Sequence, residues 1–83
     1  MVSVRWSTHA LGNLEKLDTI TRERVLSKVS WLAESLAVIV PEKLHRELKG
    51  WYKLRVGDYR VVYSVHEDMV TIESVGHRRE VYR

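Results

Sequence analysis

Apolar and polar residues alternate at the start of the chain and again through its last third. Between these stretches the apolar spacing lengthens to that of a helix. Val2, Val4 and Trp6 alternate with Ser3 and Arg5, which predicts a short first strand. Ser7 or Thr8 can cap the helix that follows, since a hydroxyl accepts from an otherwise unpaired N–H of the first turn. Ala10, Leu11, Leu14 and Leu17 recur at helical spacing and form one apolar stripe. Asp18 or Thr19 caps a second helix with Val25, Val29, Leu32 and Leu36 along its buried face, while Glu23, Lys28 and Glu34 project elsewhere. Only a few residues separate the two helices, so they are expected to form an antiparallel hairpin. Pro41 ends the apolar run Ala37-Val38-Ile39-Val40, and residues 41–50 read as a polar connector with room for one helical turn at 42–48.

Three strands are expected next, over 51–56, 59–66 and 69–76. Gly57-Asp58 is a two-residue link with glycine first, which suits a type II′ hairpin turn. Glu67-Asp68 gives a weaker turn signal. The order βααβββ predicts an α+β domain: a helical hairpin packed on one face of an antiparallel sheet, with the opposite face open. Eighty-three residues without repeats or low-complexity tracts make a single domain, 1–83.

Strand alternation then sorts the charged residues. Lys53 and Arg55 share a face with Trp51, while Tyr52, Leu54 and Val56 take the apolar side that meets the helices. On the next strand Val61, Tyr63 and Val65 suit the helix side, which puts Arg60, Val62 and Ser64 on the open one. Val70 and Ile72 belong to the core, leaving Thr71 and Glu73 open. Lys53, Arg55 and Arg60 therefore converge near the Gly57-Asp58 hairpin. A regular last strand would aim Arg78 away from them, and Gly76 offers the break that resets the alternation.

Charge points the same way. Five basic and five acidic side chains cancel over 1–42, whereas nine basic against six acidic over 43–83 hold the whole net charge of +3. An anionic partner is favoured at the second half. At 45% hydrophobic and 30% charged, the chain has the composition of a soluble globular domain. It holds no cysteine, which excludes disulfides and cysteine-based zinc sites and fits a reducing cytoplasm. His9, His45, His66 and His77 show no metal-ligand spacing, so neither a metal nor any other cofactor is expected. The first residues lack the build of a secretory signal, and no apolar run approaches the roughly 18 residues of a membrane span.

The run Leu48-Lys49-Gly50, Tyr52-Lys53-Leu54-Arg55-Val56-Gly57-Asp58-Tyr59-Arg60-Val61-Val62-Tyr63, then Val75-Gly76-His77-Arg78 and Val81-Tyr82, resembles the RelE/ParE toxin superfamily on its RelE side. The order βααβββ agrees over the full length. The resemblance implies the toxin of a prokaryotic type II toxin–antitoxin pair, an mRNA interferase that enters the ribosomal A site and cuts mRNA in the cytoplasm. It assigns catalytic roles to Lys53, Arg55, Arg60, Arg78 and Tyr82; Lys49, Trp51, His77 and Arg79 around them are expected to contact the RNA. It also implies a RelB-like antitoxin as partner, in complexes up to a heterotetramer, with no membrane involved. Two alternatives come with it: a ParE-like inhibitor of DNA gyrase that cuts nothing, and a decayed toxin that only binds its antitoxin and represses their operon.

The chemistry is coherent with the first reading. RNA cleavage without a metal can use the substrate's own 2′-hydroxyl against the adjacent phosphate, and fixed guanidinium groups stabilise the charge that develops. Arg60 and Arg78 suit that role because a guanidinium matches phosphate as a bidentate fork and keeps its charge. Proton transfer has three rivals: Lys53 among its cationic neighbours, Tyr82, which can alternatively stack on a base, and His77, whose residue type titrates nearest neutrality. His77 reads equally as a polar residue packed at a strand end. Trp51 either stacks on RNA or packs at the sheet edge; Trp31, off the main helical stripe, fills the helix–sheet margin or meets an antitoxin segment.

Overall fold

Alternation along β1 (Ser3–Trp6) turns Val4 and Trp6 toward the core, and the strand ends at Ser7, which begins α1 (Thr8–Glu15). In this computed structural model, residues 2–36, 38, 42–43 and 50–77 are described. The chain continues through α2 (Thr19–Ser35), β2 (Glu42–Lys43), β3 (Trp51–Val56), β4 (Tyr59–His66) and β5 (Met69–His77). The strands form one sheet in the order β1-β5-β4-β3-β2. Both helices lie on one face, α1 against β5 and α2 against β3.

The α+β class and the helical hairpin on one sheet face agree with the sequence reading. The sheet is mixed rather than antiparallel throughout, because β1 runs parallel to β5, pairing Val4 with Val70 and Trp6 with Ile72. A second difference is β2, which pairs Glu42 with Lys53 and Lys43 with Tyr52 inside the stretch read as a connector. A strand of two residues is too short to leave a side-chain periodicity to read. Residues 44–48, the rest of the expected helical turn, lie outside the described residues.

Side-chain caps fix the helices. Ser7 Oγ accepts from Ala10 N at 3.0 Å, and Asp18 Oδ2 accepts from Thr21 N at 3.3 Å. Bonding from Thr21 holds the Asp18 carboxyl below its ordinary range. At the other end of α1, Arg22 reaches back from α2. Its Nε donates to Leu14 O at 3.3 Å, and Nη2 donates to Leu17 O at 2.9 Å and Glu15 O at 3.3 Å. These carbonyls lie at and just beyond the C-terminus of α1, and a cation there suits the negative end of the helix dipole.

The core joins Ala10, Val25, Val29 and Leu32 of the helices to Val61, Tyr63, Val70, Ile72 and Val75 of the sheet. Tyr52 packs on Tyr63, ring centroids 5.5 Å apart, and burial pushes the Tyr63 phenol up to about 12. Leu11, expected in the α1 stripe, is exposed instead. Ala10 takes the inward position, and Leu14 and Leu17 pack against the core beside it.

Candidate functional site

The β3–β4 hairpin positions the cations. Val56 pairs with Tyr59 across Gly57-Asp58; φ is +60° at Gly57 and is not positive at Asp58, which matches the type II′ turn. The tight turn sets Arg55 directly opposite Arg60, and two residues on it sets Lys53 opposite Val62. Across the next ladder Arg60 faces Gly76 and Val62 faces Ser74. Lys53, Arg55 and Arg60 thus share the face away from the helices, as alternation predicts. Gly76, opposite Arg60, adds no side chain of its own to this face.

This face is open only in part. Arg55 is exposed and its Nε donates to Gly57 O at 3.2 Å. Lys53 and Arg60 are half-buried, Arg60 Nε is withdrawn from solvent, and Val62 between them is only 3% exposed. Trp51 is half-buried opposite Ser64, whose hydroxyl donates to Glu73 Oε2 at 2.7 Å. The face thus carries a cationic end at the hairpin and an acid-bearing end around Ser64 and Glu73. Directly opposed like charges disfavour the sheet that holds them. The β3–β4 register nonetheless sets two arginines side by side at the hairpin end of this face.

The reset of alternation expected at Gly76 occurs earlier. Tyr63 pairs with Ile72 and Val62 with Ser74, so Glu73 is an extra residue on β5 and a bulge sits there. Gly76 is in regular register with Arg60. The physical cause lies on α1. β1 stops pairing at Ile72, and α1 takes over as the neighbour of β5: Ser7 Oγ donates to Glu73 O at 2.9 Å, and Asn13 Oδ1 accepts from Val75 N at 3.0 Å. Two polar side chains of a helix complete the edge of a strand. Nothing in strand periodicity announces this; a serine at the strand–helix junction followed by Asn13 on the sheet-facing side is the only trace.

The bulge moves Val75 inward to 4% exposure and carries His77 to the helix side. There His77 meets Tyr59 edge-on, ring centroids 5.7 Å apart, beside Asn13, Lys16 and Leu17. Of its two sequence readings, packing at a strand end is the one this position favours, and the sheet separates it from Lys53 and Arg60. Lys49, Arg78, Arg79 and Tyr82 lie outside the described residues. Among the described residues no cluster of His, Asp or Glu is arranged to hold a metal, and no helix is long and apolar enough to cross a membrane.

The family model described as "ParE toxin of type II toxin-antitoxin system, parDE" matches residues 4–82. The chain belongs to the RelE/ParE toxin superfamily. It is a RelE-like toxin of a type II toxin–antitoxin system. The chain is 35% identical to Toxin RelG of Mycobacterium tuberculosis, over 98% of this chain and 95% of that protein. Among solved structures, the Mycobacterium tuberculosis toxin–antitoxin complex RelBE2 is similar with a TM-score of 0.80 and 31% identity, covering 93% of this chain and 98% of that one. The isolated E. coli RelE toxin is similar with a TM-score of 0.79 and 28% identity, over 99% of this chain and 92% of that one. The RelE-like toxin described here shares with these proteins the two helices laid on one face of a mixed sheet.

Proposed function

We propose that this toxin is a ribosome-dependent mRNA endonuclease that stops translation and is restrained by a RelB-like antitoxin in the cytoplasm. The observation that carries the reading is the juxtaposition of Arg55 and Arg60 across β3 and β4, with Lys53 two residues on and Gly76 opposite Arg60 on β5. A surface whose function is only to bind a protein has no need of directly opposed arginines. A surface that must receive a phosphodiester and hold extra negative charge on it does. The resemblance to RelE-like proteins supports the same choice over gyrase inhibition, and the solved complexes of relatives with antitoxins support an antitoxin partner.

In the proposed reaction the substrate 2′-oxygen forms a bond to the adjacent phosphorus and the bond from phosphorus to the 5′-oxygen breaks. The products are a 2′,3′-cyclic phosphate and a free 5′-hydroxyl. A base takes the 2′ proton and an acid supplies one to the departing oxygen. Arg60, with Arg78, holds the non-bridging oxygens; Arg55 draws the backbone to the hairpin end. With His77 on the helix side, Lys53 and Tyr82 are the proposed proton carriers. Trp51, with Lys49 and Arg79, contacts flanking nucleotides, and the ribosome aligns the message so that few groups on the toxin suffice.

The test is growth of cells expressing the toxin without antitoxin. Arg60→Ala and Arg78→Ala are each expected to restore growth while the purified variants keep the wild-type circular dichroism spectrum. Toxicity unchanged in soluble, folded variants would remove the proposed site.

A further inference from the structure

The end of the sheet face away from the hairpin is as firmly held as the cationic end. Trp51 and Ser64 stand directly opposite each other across β3 and β4, on the side away from the helices. Glu73, the extra residue of the bulge, brings its side chain to the same place, where Ser64 Oγ donates to Glu73 Oε2 at 2.7 Å. The Glu73 carbonyl is fixed separately, by the Ser7 hydroxyl at 2.9 Å. Val65 N donates to Gly50 O at 3.2 Å, which continues the bonding between the two strands beyond Trp51. Trp51, Ser64 and Glu73 are each half-buried. Tyr52 and Leu54, of opposite parity on β3, pack on the hydrophobic core, and Trp51 is not part of it. An aromatic ring and an oriented carboxylate therefore share a surface built on rigid strands. Trp51 lies four residues from Arg55 along β3, a span of about 13 Å.

We propose that Trp51, Ser64 and Glu73 select the base of a nucleotide flanking the scissile phosphate, admitting bases that present an amino group and rejecting uracil. The inference rests on the mRNA-cleavage reading above and adds a specificity-determining residue, Glu73, to it. A carboxylate repels phosphate, so an RNA strand whose backbone lies along Arg55 and Arg60 meets Glu73 with a base. The Trp51 ring offers that base a stacking surface, and stacking tolerates every base. Choice then falls to the carboxylate, which only accepts. Adenine N6, cytosine N4 and the guanine N1–H and amino group all donate to it. Uracil sets a carbonyl oxygen on each side of its single N–H, and these oxygens meet the carboxylate with no proton between them. Ser64 is a positioning residue: its hydroxyl occupies one acceptor site of Oε2 and leaves the remaining ones in a fixed direction. The bulge serves the same end, since an extra residue re-aims a side chain that a regular strand would hold to its alternation.

The experiment induces the full-length toxin without antitoxin, maps the 5′ ends of messages, and compares base composition around the cuts for wild type, Glu73→Gln and Ser64→Ala. In the wild type, uracil is expected to be depleted roughly tenfold at one fixed position beside the cut, the factor a hydrogen bond to a charged group supplies. Glu73→Gln keeps the side-chain length and an acceptor for Ser64 but adds an N–H donor, so uracil should return at that position. Ser64→Ala should weaken the depletion without abolishing it. A far-UV spectrum of each purified variant shows that it is folded. Cuts of the same base composition in wild type and Glu73→Gln overturn the inference and leave the nuclease reading intact. A folded Glu73→Gln protein that leaves messages uncut overturns it too, because Glu73 would then serve cleavage itself. If the wild type cuts no message, the nuclease reading falls and the inference falls with it.

Discussion

Ser7→Ala tests the junction that sets the direction of the last strand. Ser7 makes two bonds with one hydroxyl: it accepts from Ala10 N at 3.0 Å and donates to Glu73 O at 2.9 Å. Loss of the helix cap costs about 1 kcal/mol. Loss of the bond to the bulge carbonyl, in a part-buried site, costs about another 1 kcal/mol. For a domain of this size, a total of about 2 kcal/mol lowers the melting temperature by roughly 8–16 °C. Urea titration followed by circular dichroism reads the free energy directly, provided the slope is unchanged. Two further variants separate the bonds. Ser7→Thr keeps donor and acceptor and is expected to stay near wild type. Ser7→Asp keeps the acceptor for the helix but sets a carboxylate against the Glu73 carbonyl, so it should fall at or below the alanine variant. An alanine variant within about 0.5 kcal/mol of wild type, or an aspartate variant as stable as wild type, would refute the dual role.

Three other outcomes follow from the same geometry. Arg22→Met, which removes the donors to Leu14, Glu15 and Leu17 carbonyls, is expected to cost about 1–2 kcal/mol in urea unfolding, with much less cost for Arg22→Lys than for Met. Arg55→Thr relieves the opposition to Arg60 and is expected to stabilise the hairpin by about 0.5 kcal/mol while lowering toxicity; a destabilised yet fully toxic variant would contradict both halves. Tyr63 titrates near 12 in the folded protein against about 10 unfolded, so the unfolded chain releases its proton first. Stability contributed by the neutral phenol is intact below pH 10 and is lost as pH rises from about 10 to about 12. Tyr63→Phe should lack this alkaline fall, which stability curves from pH 9 to 12 would reveal.

The sequence made the alternating strands, the two helices, the Gly57-Asp58 turn and the cation-bearing face legible because each depends on local spacing. β3 and β4 have the expected bounds, and Ser7 and Asp18 proved to be the caps from the two pairs considered. What local spacing does not carry was missed. The parallel pairing of β1 with β5 joins residues more than sixty positions apart, and β2, two residues long, is too short for periodicity to mark it. The bulge at Glu73 depends on Ser7 and Asn13 reaching a strand edge from the helix, so parity counted along β5 cannot locate it. Its consequence is positional: His77 packs against Tyr59 on the helix side, in keeping with one of the two readings its sequence position left open. The opposition of Arg55 and Arg60 was readable from the turn, whereas the half-burial of Arg60 and the burial of Val62 on the same face were not.

The central claim is that the Arg55–Arg60 face receives a phosphodiester in translated mRNA. Mapping the 5′ ends of messages after brief induction of the toxin without antitoxin tests it most directly. New 5′-hydroxyl ends are expected at fixed positions within codons of translated messages, absent when Arg60→Ala is expressed to the same level. Intact messages accompanied by gyrase-dependent DNA breakage would contradict it.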